Sequence, residues 1–196
     1  MIVYDIEIIN AILPKNSEDV EEGITYCQGW HDHANMGVSV IGCYDFEEDR
    51  YRVFLKDNFR EFNTLQSTVG IKAGFNSIPF DNAVLRASNI ADISEHRSYD
   101  LLREIWAAAG LGPVFQYPSH AGYSLDAVAQ ANNVGKKSGN GALAPILWQR
   151  GQYGAVIDYC LQDVALTVEL IRKVSSNGWL TCPKTGNRLK VKSPYD

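Results

Sequence analysis

The chain begins MIVYDIEI, a run with the make-up of a buried β-strand that nevertheless carries two acids, Asp5 and Glu7. Residues two apart on a strand share a face, with about 6.5–7 Å of rise between them, so both carboxylates point the same way. Ile2, Val3, Tyr4, Ile6, Ile8 and Ile9 put apolar groups on both faces, as in a central strand covered on each side. Two uncompensated charges in such a place are costly. A divalent cation between them would remove the cost, because hard cations take carboxylate oxygens. The plainer alternative is an edge strand with both acids in water, and the rest of the chain has to decide.

A length of 196 residues with 45% hydrophobic residues suits one domain with a well-filled core. No apolar run of about 18 residues occurs, and no basic segment precedes an apolar one at the start, so neither a membrane span nor a signal peptide is expected and the setting reads as cytoplasmic. Cys27, Cys43, Cys160 and Cys182 show no Cys-x-x-Cys pairing, which argues against a zinc ribbon or a disulfide framework. The net charge of −5 is unevenly spread: residues 1–50 hold eleven Asp/Glu against two Lys/Arg. Beyond Glu169 come Arg172, Lys173, Lys184, Arg188, Lys190 and Lys192 with no acid before Asp196. That basic stretch is either a track for a phosphate backbone or a solvated tail.

Residues 10–36 form a polar, acid-rich connection without a clear period. Gly37–Phe46 and Tyr51–Leu55 read as strands joined by an acidic turn, hence a hairpin. Asn58–Ser67 reads as a helix and Val69–Phe75 as a further strand. Ile78–Ser88 reads as a helix with Ser77 at its N-cap and Pro79 in its first turn. Asp100–Gly110 and Ser124–Asn132 are helical, the latter with another serine cap. Gly/Pro-rich loops cover Gly110–Tyr123 and Gly135–Pro145. A long helix from Tyr153 to about Val174 carries the stripe Ile157, Leu161, Val164, Val168 and Ile171 at helical spacing. Trp179–Lys192 reads as a hairpin turning at Lys184–Asn187, with Arg188, Lys190 and Lys192 alternating against Leu189 and Val191. Residues 1–176 thus make one mixed α/β domain, and 177–196 a basic hairpin and tail.

Two further segments offer acids. In GFNSIPFDN, Asp81 lies in the first turn of a helix leaving a strand, a place where an acid also serves the helix dipole. In DYCLQD, Tyr159 and Asp163 stand four apart and share a helical face, opposite to or flanking the apolar stripe. Asp5 and Glu7, then Asn76-x-x-x-Phe80-Asp81, then Tyr159-x-x-x-Asp163 resemble, in that order, the three motifs of the DnaQ-like 3′–5′ exonuclease superfamily in its tyrosine-bearing (DEDDy) branch. In the histidine branch a His stands five residues before the last acid, where this chain has Asp158. The segment from Ser124 to Leu170 is also similar to bacterial and phage members related to the proofreading domain of family B DNA polymerases and to YprB-like proteins. The resemblance runs from Met1 to about Val174. It departs where members commonly carry Thr after the first-motif Glu, since this chain has Ile8.

The resemblance implies an RNase H-like mixed sheet flanked by helices and a C-terminal hairpin extension. It implies a metal-dependent 3′–5′ exonuclease releasing 5′-mononucleotides from single strands, DNA ahead of RNA, in a bacterial or phage-infected cell, with roles in replication or repair. Asp5, Glu7, Asp81 and Asp163 would hold two Mg²⁺ or Mn²⁺ ions, with Asp5 as the bridge. Oxygen ligands select these metals over zinc. Tyr159, a phenol with an ordinary pKa near 10, is read as orienting a metal-bound water rather than acting as a general base. Ile8, Asn76, Phe80, Lys136, Lys137 and Trp148 are candidate substrate contacts, with Phe115, Tyr117, Tyr123 and Arg150 as further stacking or phosphate-binding groups. A polymerase or helicase partner could dock on the basic hairpin. The rival readings are a non-catalytic nucleic-acid-binding or docking module on the same fold and a structure-specific endonuclease. Trp30-His31-Asp32-His33 is a conceivable metal cluster that is not assigned.

Overall fold

The apolar opening becomes β1 (Ile2–Ile8), the middle strand of a five-stranded sheet, in the computed structural model, which describes residues 1–137 and 141–196. A short parallel pair follows, β2 (Ala11–Ile12) and β3 (Tyr26–Cys27), then one turn of helix, α1 (His33–Met36). The 10–36 connection is therefore more ordered than its lack of period suggests, because two-residue strands are too short to show alternation. β4 (Val38–Asp45) and β5 (Arg50–Phe54) form the expected antiparallel hairpin. α2 (Phe59–Thr68), β6 (Lys72–Gly74) and α3 (Asp81–Ala87) come next. A strand that the sequence reading did not anticipate, β7 (Ser98–Asp100), leads directly into α4 (Leu101–Ala108). α5 (Leu125–Ala131), α6 (Ala144–Gln149) and the long α7 (Tyr153–Asn177) precede a terminal hairpin, β8 (Leu180–Thr181) and β9 (Arg188–Leu189).

The sheet order is β5-β4-β1-β6-β7, with β4 antiparallel and β6 parallel to β1. This is a mixed α/β sheet with helices on both faces, an RNase H-like arrangement. The alternation of β1 explains the layers. Ile2, Tyr4, Ile6 and Ile8 pack with Phe62 of α2 and Val84 and Leu85 of α3. Val3 packs on the other face with Ile105 of α4, Val128 of α5 and Val164 and Val168 of α7. By the same period Asp5 and Glu7 share the face that α7 covers. The hairpin is sewn into this second core, since Leu180, Cys182 and Val191 are buried in it. Arg188, Lys190 and Lys192 point outward as their alternation requires, and Arg188 stacks over the Trp179 ring at 4.1 Å.

Three local expectations are corrected. α3 begins at Asp81, not Ile78; Phe80 stands at its cap position and Ser77, fully buried, caps nothing. Asn76 has a positive φ of 62°, so the chain turns sharply there before the helix can start. The buried face of α7 is Val156, Tyr159, Cys160, Asp163, Val164, Val168 and Ile171, with Ile157 and Leu161 half-buried to one side. Tyr159 and Asp163 therefore lie on the buried stripe itself. The third correction is α6, which begins inside the Gly135–Pro145 stretch read as a loop and runs on to Gln149.

Candidate active site

Gly42 of β4 is paired with Asp5 of β1, and its missing side chain sets how closely α7 can lie on the sheet. A Cβ at Gly42 would stand 2.9 Å from the Cys160 sulfur and 3.3 Å from a methyl of Val164. With hydrogen there instead, α7 settles onto β1 and β4, and the Cys160 thiol reaches the Asp5 backbone carbonyl at 3.4 Å and its Oδ2 at 3.8 Å. Tyr159 and Asp163 are brought to the same place by the helical repeat. Asp81 is fixed from the other side: its Oδ1 accepts the backbone N–H of Ile6 at 3.1 Å, tying the first turn of α3 to the strand between Asp5 and Glu7. Neither Gly42 nor Cys160 was singled out by sequence reasoning. Their only signal was a small residue in a strand and a cysteine beside Tyr159.

The turn ahead of α3 is held by Asp100. Its carboxylate accepts the N–H groups of Asn76 at 2.9 Å and Ile78 at 3.0 Å, and caps α4 through the N–H groups of Leu102 and Arg103. Asp100 is thus the N-cap of α4, and the same side chain also anchors the segment that presents Asn76, Phe80 and Asp81. Tyr4 adds a second tie by donating to Asn82 Oδ1, joining β1 to α3 on the face they share.

The four acids repel one another. Burial first, then the charge of Asp163, push Asp5 up to about 8, against the pull of Lys137 and the Cys160 hydrogen bond. Burial followed by Asp5 raises Glu7 and Asp81 well above the usual carboxylate range. Burial also raises Asp163, although Lys137 opposes it. Glu7, Asp81 and Asp163 are 7%, 4% and 6% exposed, so water does little to relieve them. The compensating charge is Lys137, whose Nζ meets Asp163 Oδ2 at 2.5 Å and lies 4.9 Å from the centre of the Tyr159 ring. Burial alone would lower this ammonium, but Asp163 and Tyr159 hold it above its ordinary value. Asp163 Oδ1 is buried with no hydrogen-bond partner among the described residues, and the buried Tyr159 hydroxyl has the Lys137 ammonium as its polar neighbour. Burial pushes the Tyr159 phenol up to about 12, against Lys137.

An all-carboxylate donor set with one orphaned oxygen and mutually raised acids has the chemistry that a hard divalent cation satisfies. As placed, however, no three His, Cys, Asp or Glu side chains among the described residues form a ready-made metal cage. Lys137 supplies part of the positive charge instead. The acids are also pH-sensitive in a definite direction. Asp5 sits at about 8 in the folded chain and near 4 when unfolded, so its contribution to stability is complete below pH about 4 and is lost as the pH rises through about 8. Glu7, Asp81 and Asp163 act in the same sense. In EDTA the melting temperature is therefore expected to fall between about pH 5 and about pH 8, and Mn²⁺ at the upper end to restore it. A flat profile across that window in thermal denaturation would mean that the acids do not share a site.

Around the acids, Phe80 is half-buried with the Trp30 ring 5.8 Å away, and Trp30 is 66% exposed. Trp30 thus joins Phe80 as an aromatic surface beside Asp81, a pairing hidden in the sequence by the intervening strands. The His31 and His33 rings lie 6.3 Å apart next to it. Trp148 of α6 packs with Tyr153 and with the apolar group around Tyr159 and Cys160. Lys136 is exposed beside Lys137. The Ile8 side chain is buried beneath the sheet among Met36, Val38 and Ile41, so it offers no side-chain contact to a substrate. Tyr123 is likewise a core residue, 7% exposed, with its hydroxyl on the Cys182 sulfur at 3.6 Å, and it is unavailable for stacking. Phe115 and Tyr117 are exposed, and Arg150 is paired with Glu21.

Comparison with known proteins gives fold but not family. No protein-family model matches the chain, and no curated protein matches it. Among solved structures, the family B DNA polymerase of the hyperthermophilic archaeon Pyrobaculum calidifontis superposes with a TM-score of 0.61 at 19% identity, over 89% of this chain and 24% of that one. The likeness is one of fold. The present chain spans about a quarter of the polymerase, and no helix among its described residues is long and apolar enough to cross a membrane.

Proposed function

We propose that the chain is a metal-dependent 3′–5′ exonuclease of the tyrosine-bearing DnaQ-like type, acting on single-stranded nucleic acid. The observation that carries this reading is the gathering of Asp5, Glu7, Asp81 and Asp163 from a strand and two helices around one buried spot, with Tyr159 beside them. The likeness in fold to a DNA polymerase supports a nucleic-acid substrate. Mg²⁺ or Mn²⁺ bound by the four carboxylates would supply stabilisation of charge on the attacking and leaving oxygens of a phosphodiester. Tyr159, raised to about 12, stays protonated at neutral pH and so keeps a hydroxyl proton to offer, which suits orienting the attacking water and not removing its proton. Lys137, freed from Asp163 once that carboxylate has another cation, is placed to meet a phosphate oxygen. Phe80 and Trp30 offer rings on which a terminal base could stack without regard to its identity. The basic hairpin follows the far end of α7, which lies fourteen residues or about 21 Å beyond Asp163. It would touch only the upstream part of a strand, or a polymerase or helicase partner.

The test is a time course on 5′-labelled single-stranded DNA and RNA of equal sequence with Mg²⁺, Mn²⁺ or EDTA. A ladder shortening from the 3′ end, absent in EDTA, is expected, and its rate on each strand names the preferred sugar. Tyr159→Phe should slow turnover by about 10²-fold at saturating metal; full turnover would remove the water-orienting role. One observation favours a non-catalytic binding module instead: Lys137 already neutralises Asp163. Binding of both strands without cleavage under any metal would decide for that module, and an internal cut for an endonuclease.

A further inference from the structure

Lys72 occupies a place where a lysine is hard to explain. It lies on β6 between Ile2 of β1 and Ser98 of β7, at the opposite end of these strands from Asp5 and Glu7. It is 2% exposed, yet its ammonium has neither an ion pair nor a hydrogen-bond acceptor among the described residues. The stem is buried in the sheet while the ammonium emerges at an open pocket, where it faces a second cation and no acid paired with it among the described residues.

The side chain reaches an open pocket of about 270 Å³ between the end of α2 and the segment before β7. Gln66, Ser67, Ser94, His96 and Arg97 line it together with Lys72. Arg97 is exposed and makes no ion pair among the described residues, and the His96 ring lies 3.4 Å from the Ser94 hydroxyl. One acid, Asp92, is present, but its Oδ1 already takes the Nε–H of Arg86 at 2.6 Å. Burial first, then the charge of Arg97, lower the Lys72 ammonium from its ordinary value, so an anion placed between the two cations would relieve both. The lining holds hydroxyls, an amide and two cations, but no Phe, Tyr or Trp on which a base could stack.

We infer that this pocket is a binding site for a small phosphate-type oxyanion, either free orthophosphate or the phosphoryl group of a phosphomonoester. Lys72 and Arg97 supply the charge, and Ser94 and the second amide proton of Gln66 the neutral donors. The size and the absence of a stacking surface favour a phosphoryl group over a nucleic-acid strand. The site is separate from the carboxylate cluster and does not depend on the chain being a nuclease.

The test is thermal denaturation and titration calorimetry on the whole chain in EDTA, with inorganic phosphate, a 5′-mononucleotide, or chloride at equal ionic strength. Phosphate is expected to raise the melting temperature beyond the chloride control. Lys72→Met and Arg97→Ala should each weaken binding by at least about fivefold, a change of about 1 kcal/mol, while Lys56→Ala, an exposed lysine outside the pocket, leaves it unchanged. Lys72→Met should also melt higher than wild type without phosphate, so that a lost response cannot be ascribed to misfolding. A mononucleotide binding like free phosphate would identify the phosphoryl group as the part recognised; tighter binding that survives Lys72→Met would place the mononucleotide elsewhere. The inference is overturned if phosphate does no more than chloride, if Lys72→Met keeps the full response, or if a short oligonucleotide binds here in preference to phosphate.

Discussion

Asp5→Asn should lower metal-dependent hydrolysis by at least about 10³-fold while raising the melting temperature of the metal-free protein. The two effects have one cause. Asp5 stands on the central strand with the charges of Asp163, Glu7 and Asp81 around it, and burial together with Asp163 holds it at about 8. An amide of nearly the same shape removes that repulsion and the cost of keeping a carboxylate out of water, so the fold gains. The same change removes a ligand from the proposed metal site. Losing about 4 kcal/mol of charge stabilisation is the 10³-fold. Single-turnover rates with Mn²⁺ and thermal melts in EDTA measure the two halves separately. A variant that loses activity and melts lower would make Asp5 a structural residue, and one that keeps its rate would end the metal–carboxylate reading.

Asp100→Ala should cost about 3–5 kcal/mol of stability, the largest effect expected of any residue outside the acid cluster. Its carboxylate is 2% exposed and takes four backbone N–H groups, two from the turn before α3 and two from the start of α4. Removing a cap costs about 1 kcal/mol, and each buried N–H left unpaired adds about 1–3 kcal/mol. Against a typical total of about 5–15 kcal/mol this leaves a marginal domain. Activity should fall as well, because Asn76 at positive φ and Asp81 are both carried by the loosened turn. Asp100→Asn, which keeps one acceptor oxygen, should recover much of the loss. Urea denaturation of the three proteins is the measurement. Equal midpoints would show that the turn is held by packing, for which the contact of Gly74 with Ser77 is the candidate.

The parts of this molecule that were legible in the sequence are those with a period. β1 announced both its central position and the shared face of Asp5 and Glu7, since Ile2, Tyr4, Ile6 and Ile8 alternate against them. α7 announced the pairing of Tyr159 with Asp163 in the same way, although half-buried Ile157 and Leu161 drew the apolar stripe to the wrong side. What has no period stayed hidden. β7 has three residues and β2 and β3 two each, too few to show alternation. Long-range relations were also out of reach: Gly42 matters because of Cys160, and Trp30 because of Phe80. Lys137 was legible as a basic residue near the site, but its ion pair with Asp163 depends on how the 135–137 stretch is folded back. Residues 138–140 of the same loop lie outside the described part of the chain.

The placement of α7 over Gly42 also has a bearing on how the chain folds. Hydrogen bonding to β1 is complete once β4 and β6 have docked on either side of it, all from the first half of the sequence. Asp163 and Tyr159 arrive only when a helix from near the opposite end is laid across that sheet, and such distant closures are slow steps in folding. A partly folded chain would therefore display Asp5, Glu7 and Asp81 without the fourth acid, leaving the proposed metal site incomplete. If the proposed function holds, cutting would be withheld until α7 has been laid over the sheet, which would spare nucleic acid near an incompletely folded chain.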